Sequence, residues 1–594
     1  MPSPPALPLH DLANGVVAFD LNRTAKPTLS IAFAGRLDEC PALAARLGLR
    51  GPVPAVTDLL ALAYQRWDLA MPEYLLGEFS LILHDSAKQR IVAARDALGI
   101  GSLFYAHQGS QLLACARIAP LLDHPQIGRR LNHGKLVRSA LIWMEPGPES
   151  FYEGVLALPG GSVLCLDASG LRSWSYWQPD PERRLDIPDR EVPEALRALL
   201  FAAVEARLPA HSTPAALLSG GLDSSSLVAV AASILKKQNR RLLAMSAVLP
   251  AHLRSTMEDE SAFIAAFSKV DNIDFLEVSD QQRGPFDDVS STIRAQGKPF
   301  INSRQFQFDA FAHAATAHGA ETVFGGGFGE HGPTNHGNGF YVELFRSGQW
   351  WLLAKELQAR ARVYGLPVQR VLKSELLRPL APTWLLKLVG RSQPASSTHM
   401  LEQQPFQHAY LAQHLPQAPA TLLAQLSQSS QSYRHPRAIQ ASSIAKFQTQ
   451  AGLRGANELG VHFSLPLLDQ RIIEFCLAAP THLKVSNGYP RSLIRHAMNG
   501  LLPAQIQWRT SKQPFSPDFH LRYNRQRYLA EQLFASIGAH DPIRAVIDVA
   551  RLQKMVGIEM QSNRCDTQID FAAMHMVPRA IYLIQFLRQF PEFA

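Results

Sequence analysis

The spacing of apolar residues changes twice along this 594-residue chain. Up to about residue 178, short apolar runs alternate with glycine turns: Val16–Leu21, Leu29–Phe33, Phe79–Leu83, Arg90–Ala94, Leu103–Tyr105 and Ser162–Leu166. Runs of three to six residues bounded by turn formers predict strands, so 1–178 reads as a layered, mainly β domain with a few helices. Residues 179–193 are rich in proline and charge and read as a linker. From 194 to the end the texture differs. Helical and strand-like segments alternate: Glu194–Leu208, the strand at Ala215, the helix from Ser224, Leu242–Leu249, Glu258–Val270, Asp274–Val278, Phe306–Ala317 and Glu321–Phe324. That alternation predicts a parallel sheet covered by helices. After about 338 the pattern is nearly all helical, broken by a polar loop at Gly390–His399. No internal repeat is visible.

Composition adds boundaries. A hydrophobic share of 46% with 18% charged residues suits a globular α/β protein of more than one domain. The net charge of +8 comes from scattered basic residues, so no nucleic-acid arm is expected. The five cysteines form no C-x-x-C pair, which favours neither a zinc site nor a disulfide framework and fits a cytoplasmic protein. The first residues lack the basic start and apolar core of a signal peptide, and no apolar run reaches membrane-spanning length, so no membrane insertion is expected.

The densest chemistry lies at Leu217-Leu-Ser-Gly-Gly-Leu-Asp-Ser-Ser-Ser226. It reads as a strand end, a glycine turn and a helix start. Gly220 and Gly221 permit a sharp turn and a close approach to a ligand. The helix N-terminus offers unpaired N–H groups and partial positive charge. Ser219, Ser224 and Ser225 add hydroxyl donors, and Asp223 can hold Mg2+. A helix cap needs one such residue, not this whole set. A Walker A loop is excluded because no lysine follows the glycines. The segment instead resembles the PP-loop of enzymes that split ATP into AMP and pyrophosphate.

Four further segments follow in the order found in the asparagine synthetase family. Gly77-Glu-Phe-Ser-Leu-Ile-Leu-His-Asp-Ser86 with Ala94–Tyr105 resembles that family's glutaminase domain. Val323-Phe-Gly-Gly-Gly-Phe-Gly-Glu-His-Gly332 resembles its second pyrophosphate loop, Gly460–Asp469 its GVEARVPFLD segment, and Pro503–Phe515 its Pro-x-x-Val-x-x-Arg-x-x-Lys-x-x-Phe tail. The resemblance implies an N-terminal α+β, Ntn-type sandwich followed by a parallel-sheet synthetase domain with a large helical C-terminal part.

The departures narrow this picture. Where glutamine-using members carry a nucleophilic cysteine at position 2, this chain has Pro2, and the nearest cysteine is Cys40. Their Asn-Gly-Glu glutamine clamp appears as Ala34-Gly35-Arg36, and only Asp58 resembles a remaining glutamine contact. A pocket without nucleophile or clamp should not hydrolyse glutamine. Two groups of relatives work without it, lasso-peptide cyclases and β-lactam-type synthetases. The second group uses a Tyr–Glu base; Gln448, Gln450 and Arg454 stand where the glutamate is sought, and Tyr341 and Tyr364 have no assigned partner. The peptide cyclases therefore resemble the chain more. That implies a leader-processed peptide substrate, with a leader-binding protein and a cysteine protease as pathway partners. Ammonia-dependent asparagine synthesis and a non-catalytic scaffold are the other readings.

By this resemblance ATP and Mg2+ are the expected cofactors. Gly325, Gly326, Gly327 and Gly329 should supply a second set of backbone donors, and Glu330 stands where the family has an aspartate, as a second metal ligand beside Asp223. Ser246 and Val248 should pass beside adenine; an ordinary core strand is the plainer reading. Lys512, assisted by Arg509, should stabilise charge in the transfer step. His331 and His336 lack enough neighbouring ligands for zinc. Trp350 and Trp351 fit either helix-core packing or a peptide pocket.

Overall fold

A computed structural model describes residues 9–13, 15–21, 29–141, 147–279, 282–300, 302–381, 404–414, 435–448, 460–511, 515–561 and 575–593. The N-terminal part is a two-sheet sandwich. One sheet has six strands in the order Leu9–Asp11, Leu29–Leu37, Gly77–Asp85, Arg90–Arg95, Ser162–Asp167, Gly170–Ser175. The other has four, in the order Val17–Asp20, Gln111–Cys115, Phe104–Gln108, Leu156–Ala157. Side chains alternate across each strand, so one set meets the facing sheet and the other set must be covered elsewhere. Ala32, Ile82, Ile91 and Ala93 meet Phe19, Leu112 and Ala114 between the sheets. On the outer face Ile31, Leu81, Leu83 and Val92 pack under helix Val56–Trp67 through Leu59, Leu60 and Ala63. Outward-facing Leu113 and Cys115 join a core with Phe519, Tyr523 and Phe586 from the C-terminal helices. The two halves of the chain thus share a core.

The second part is built on a five-stranded parallel sheet, ordered Ile273–Val278, Leu242–Ala247, Ala215–Leu217, Thr322–Phe324, His462–Ser464. Helices Val192–Glu205 and Leu222–Lys237 cover one face, with Ala216, Ala244 and Phe324 beneath them. Helix Gln305–Ala317 covers the other through Phe311, Ala312 and Ala315, which lie on Ala215, Leu243 and Val323. This is the α/β arrangement the alternating pattern predicts.

Three expectations change in detail. Glu258–Val270 forms only a short helix, Ser261–Ile264, and a 3-10 turn, Ala265–Phe267. The Asp259 carboxylate accepts hydrogen bonds from the N–H groups of Leu249 and Ser261, which holds the start of this segment against the sheet end instead of in a helix. The region after 338 is not all helical: His462–Ser464 forms the fifth strand and Val485–Ser486 pairs with Tyr489–Pro490. A strand of three residues is too short to carry a periodic signal. The proline-rich segment before helix Val192–Glu205 is pinned by Arg183 to Glu474 and by Asp189 to His482 at 2.7 Å. The polar loop expected at 390–399 lies outside the described residues.

Candidate active site

From Ala215–Leu217 the chain moves outward to Leu242–Ala247 and Ile273–Val278, then returns to place Thr322–Phe324 on the opposite side. Two strands that leave a sheet centre in opposite directions open a crevice at their carboxyl ends, where ligands bind in folds of this kind. The Ser219–Ser225 loop follows one of these strands and the Gly325–His331 loop follows the other.

The first loop is folded by its own side chains. Gly220 has φ +66°. The Ser219 N–H donates to Ser224 Oγ at 3.0 Å, and the two hydroxyls hydrogen-bond at 2.8 Å. The Ser225 hydroxyl is buried and makes no hydrogen bond among the described residues. Ser246 Oγ donates to the Leu218 carbonyl at 2.8 Å, so this residue ties its strand to the loop, and Val248 is buried just beyond it.

The second loop presses onto the first. A Cβ on Gly326 would lie 2.6 Å from Ser224 N, and one on Gly329 would lie 2.1 Å from Asp223 Oδ1. Asp223 accepts a hydrogen bond from Thr334 Oγ1 at 2.5 Å. Gly325 does not act as a free donor as expected; its N–H bonds the Ser464 carbonyl at 2.8 Å, which fixes the loop to the fifth strand. The N–H groups of Gly326 and Gly327 make no hydrogen bond among the described residues, and a Cβ on Gly327 would meet only Leu465 Cδ2, at 3.6 Å. Neither packing nor backbone angle demands glycine at 327, so a bare backbone there suits a ligand approach.

Arg491, which the sequence reading passed over, reaches this point. Its Nη1 lies 3.9 Å from Asp223 Oδ2, and its Nε and Nη2 both donate to His336 Nε2 at 3.1 and 2.8 Å. A guanidinium beside the loop aspartate would meet a phosphate group. It stands between a two-residue hairpin and a helix, at φ +57°, and the sequence carries no signal for it.

Arg509, expected to assist transfer, braces the loop. Its Nη1 donates to the Gly220 carbonyl at 3.1 Å, it pairs with Glu260, and its guanidinium lies 3.5 Å over the Phe263 ring. Lys512, its expected companion, lies outside the described residues. Glu330 is exposed, and no group of three or more His, Cys, Asp and Glu that could hold a metal occurs among the described residues. The residues fit magnesium only as a phosphate-bound ion, which needs few carboxylates; Asp223 offers one. His331 is buried against Phe328 and Phe447, and burial lowers its pKa although Glu330 raises it.

At the glutaminase-like end, Arg36 is taken up by its own domain and its neighbour. Arg36 pairs with Asp38, lies 3.5 Å from Glu78 and donates to the Ala206 carbonyl at 2.9 Å. Cys40 is half-buried with its thiol pKa raised by burial and by Asp38, which disfavours the nucleophilic thiolate. Pro2 lies outside the described residues. Gln448, at the place searched for a catalytic glutamate, donates to the Ala97 and Gly160 carbonyls at 2.7 and 3.3 Å and joins the two halves.

Residues 195–577 match the asparagine synthase family model and residues 29–177 the glutamine amidotransferase domain model. The chain belongs to the asparagine synthase family. Asparagine synthetase [glutamine-hydrolyzing] 3 of Bacillus subtilis is 29% identical over 36% of this chain and 35% of its own length. Amidase chry2 of Gibberella zeae is 30% identical over 33% and 29%. A putative asparagine synthetase [glutamine-hydrolyzing] 2 of Methanocaldococcus jannaschii is 25% identical over 29% and 34%. The chain thus spans about a third of the length of these relatives. No helix among the described residues is long and apolar enough to cross a membrane.

Proposed function

We propose that this family member is an ATP-dependent carbon–nitrogen ligase that closes a macrolactam on a peptide. An Asp or Glu side-chain oxygen attacks the α-phosphorus of ATP, the bond to the β-phosphate oxygen breaks, and pyrophosphate leaves. The peptide's N-terminal amine then attacks the acyl carbon; AMP leaves and the amine proton goes to solvent. Ser219, Ser224, Ser225 and the N–H groups of Gly326 and Gly327 hold the pyrophosphate end, with Arg491 beside them. Magnesium held by Asp223 and the phosphates would neutralise the charge that develops on the leaving group. Lys512 is assigned the charge that builds in the second step.

The observation that carries this reading is the contrast between the two ends of the chain. The anion loops are folded and open, whereas Arg36 and its partners occupy the place of the glutamine clamp. The nitrogen must then come from elsewhere, and an amine on the substrate supplies it without a second reaction. The tie of Gln448 to the Ala97 and Gly160 carbonyls speaks against a β-lactam-type base at that position. A peptide substrate would come from a pathway with a leader-binding protein and a cysteine protease.

The test is incubation with ATP, magnesium and leader-free candidate peptides. A product lighter by one water, with AMP and pyrophosphate in equal amounts, supports the reading. Turnover only of a small β-amino acid, or only of aspartate with ammonium, replaces it. Absence of ATP–pyrophosphate exchange with every acid tried would leave the scaffold reading.

A further inference from the structure

We propose that Lys484 and Gln440 are positioning residues that set the second phosphate loop for pyrophosphate. This rests on the assignment of that loop to pyrophosphate, not on the identity of the acyl substrate. Lys484 ends the short helix Thr481–Lys484 and is 3% exposed. Gln440 lies on helix Pro436–Gln448 and is 4% exposed. The Lys484 ammonium donates to Gln440 Oε1 at 2.8 Å, and Gln440 Nε2 donates to the His331 carbonyl at 2.7 Å. His331 closes the turn Gly329–His331 of the loop.

No carboxylate forms an ion pair with Lys484 among the described residues, and burial lowers its pKa to about 8. A buried ammonium held by an amide alone is costly. An apolar side chain of the same length would fill the space more cheaply, so packing does not call for lysine here. What lysine adds is direction. It is a donor only and can bind only the amide oxygen. That fixes the orientation of the Gln440 amide and leaves its Nε2 for the loop. Turned the other way, the amide would set its oxygen against the His331 carbonyl.

The span that Gln440 holds is clamped at both ends. At the other end the Gly325 N–H is bound to the Ser464 carbonyl. Between the clamps lie Gly326 and Gly327, whose N–H groups make no hydrogen bond among the described residues. From the same turn the Gly329 carbonyl accepts from the Thr334 N–H at 3.0 Å, and Thr334 Oγ1 donates to Asp223 Oδ1. The hold on His331 therefore bears on the bare donors and on the loop aspartate together. The same helix fixes the His331 ring, with Nδ1 3.2 Å from Ser443 Oγ and the ring against Phe447. That helix is anchored in turn on the N-terminal sandwich. The Gly160 N–H donates to the Gln448 carbonyl at 2.8 Å, and Leu98 and Ile100 share a core with Ile444 and Phe447. The loop is thus set by a helix that both halves of the chain hold.

Titration calorimetry of the full-length protein with magnesium pyrophosphate and, separately, with AMP tests the arrangement. Gln440→Glu keeps the side-chain volume and gives Lys484 a carboxylate, but turns an oxygen towards the His331 carbonyl. It should keep the melting temperature at or above that of the wild type, weaken pyrophosphate binding about tenfold and leave AMP binding unchanged. Equal pyrophosphate affinity in wild type and Gln440→Glu overturns the proposal, and so does an equal loss for both ligands, which marks general damage. Lys484→Met frees the amide to turn and should weaken pyrophosphate binding by about threefold, again without effect on AMP. If Gln440→Glu does not fold, this second variant decides, and an unchanged pyrophosphate affinity in it overturns the role of Lys484. A wild type that binds no pyrophosphate removes the assignment of the loop and the positioning role with it. Failure of every peptide to support turnover, with pyrophosphate binding still split between the variants, sinks the macrolactam reading and leaves this one standing.

Discussion

One methyl group distinguishes two kinds of glycine in the second loop. At 326 and 329 an added Cβ would run into Ser224 N and Asp223 Oδ1, so these glycines let the two loops touch. At 327 there is room for a methyl group against the protein. Gly326→Ala should therefore drive the loops apart, lowering both melting temperature and ATP–pyrophosphate exchange. Gly327→Ala should leave the melting temperature within about 1 °C, an effect below roughly 0.5 kcal/mol, yet raise the ATP KM. Equal behaviour of the two variants in both assays would contradict this division. The sequence displayed all four glycines without separating these roles, because the role depends on what lies across the crevice. That Asp223 and the serines share one loop was legible from their spacing along one short segment. Arg491 was not, because its partners Asp223 and His336 lie far from it in the chain. His575 carries a residue-scale prediction of its own. Its folded pKa, about 4, is below the ordinary value of 6.5. Between those values the unfolded chain binds more protons, so stability rises with pH through the window and is lost as pH falls from 6.5 towards 4. His575→Gln should flatten that acid limb by up to about one proton's worth of slope in urea unfolding followed against pH; an unchanged limb would falsify the assignment.

Among the elements, the segment 258–267 shows how a strongly patterned stretch is diverted. Its apolar spacing reads as a helix, yet Asp259 is held at Leu249 and Glu260 is held by Arg509. Local periodicity reports what a segment could bury, not which of its polar residues a neighbouring element will claim. Strand Leu242–Ala247 and helix Leu222–Lys237 were legible because their own side chains bury them. The three-residue strand His462–Ser464 was hidden, since its place comes from pairing with Thr322–Phe324. The Arg509–Glu260–Gly220 tie gives a further expectation. Arg509→Ala leaves Glu260 without its partner and Gly220 without its brace. The melting temperature should fall, by the equivalent of about 1–3 kcal/mol for a partly buried charged hydrogen bond, and the ATP KM should rise. Arg509→Lys should recover part of the stability but not the bidentate hold. A normal ATP KM in the alanine variant would mean that the loop keeps its shape unaided.

For the molecule as a whole, one buried ion cluster spans the two halves. Arg207 is buried between Glu78 at 2.9 Å, Asp469 at 3.0 Å and Asp38 at 3.5 Å. Burial alone would lower its pKa, but Glu78, Asp469 and Asp38 together raise it, so it stays charged. Asp469 is also held by Arg471, which keeps its carboxyl below the usual range despite burial. Arg207→Met should remove the central cation of three buried carboxylates, with Arg36 and Arg471 left at their edges, costing about 3–5 kcal/mol. It should also expose the 178–191 segment to limited proteolysis; retention of wild-type stability would show that the halves hold together through their shared apolar core alone. The succession of a sandwich and a parallel-sheet part was legible from the change in texture, but the bolt was not. Arginine and its acids lie more than a hundred residues apart, on elements whose meeting no local pattern foretells.

This arrangement bears on inheritance. A lineage that stops using glutamine has no chemical reason to keep 178 residues of amidotransferase fold. Glu78 and Asp38 come from that fold, and Arg207 comes from the other. Deleting the first leaves Arg207 with Asp469 as its one remaining partner of the three, and recombining it with a foreign N-terminal half succeeds only if the acids arrive in the same places. On the proposed function, the N-terminal domain contributes counter-ions rather than ammonia. Chimeras within this family should therefore be viable when both halves are exchanged together, and rarely when the boundary is cut between them.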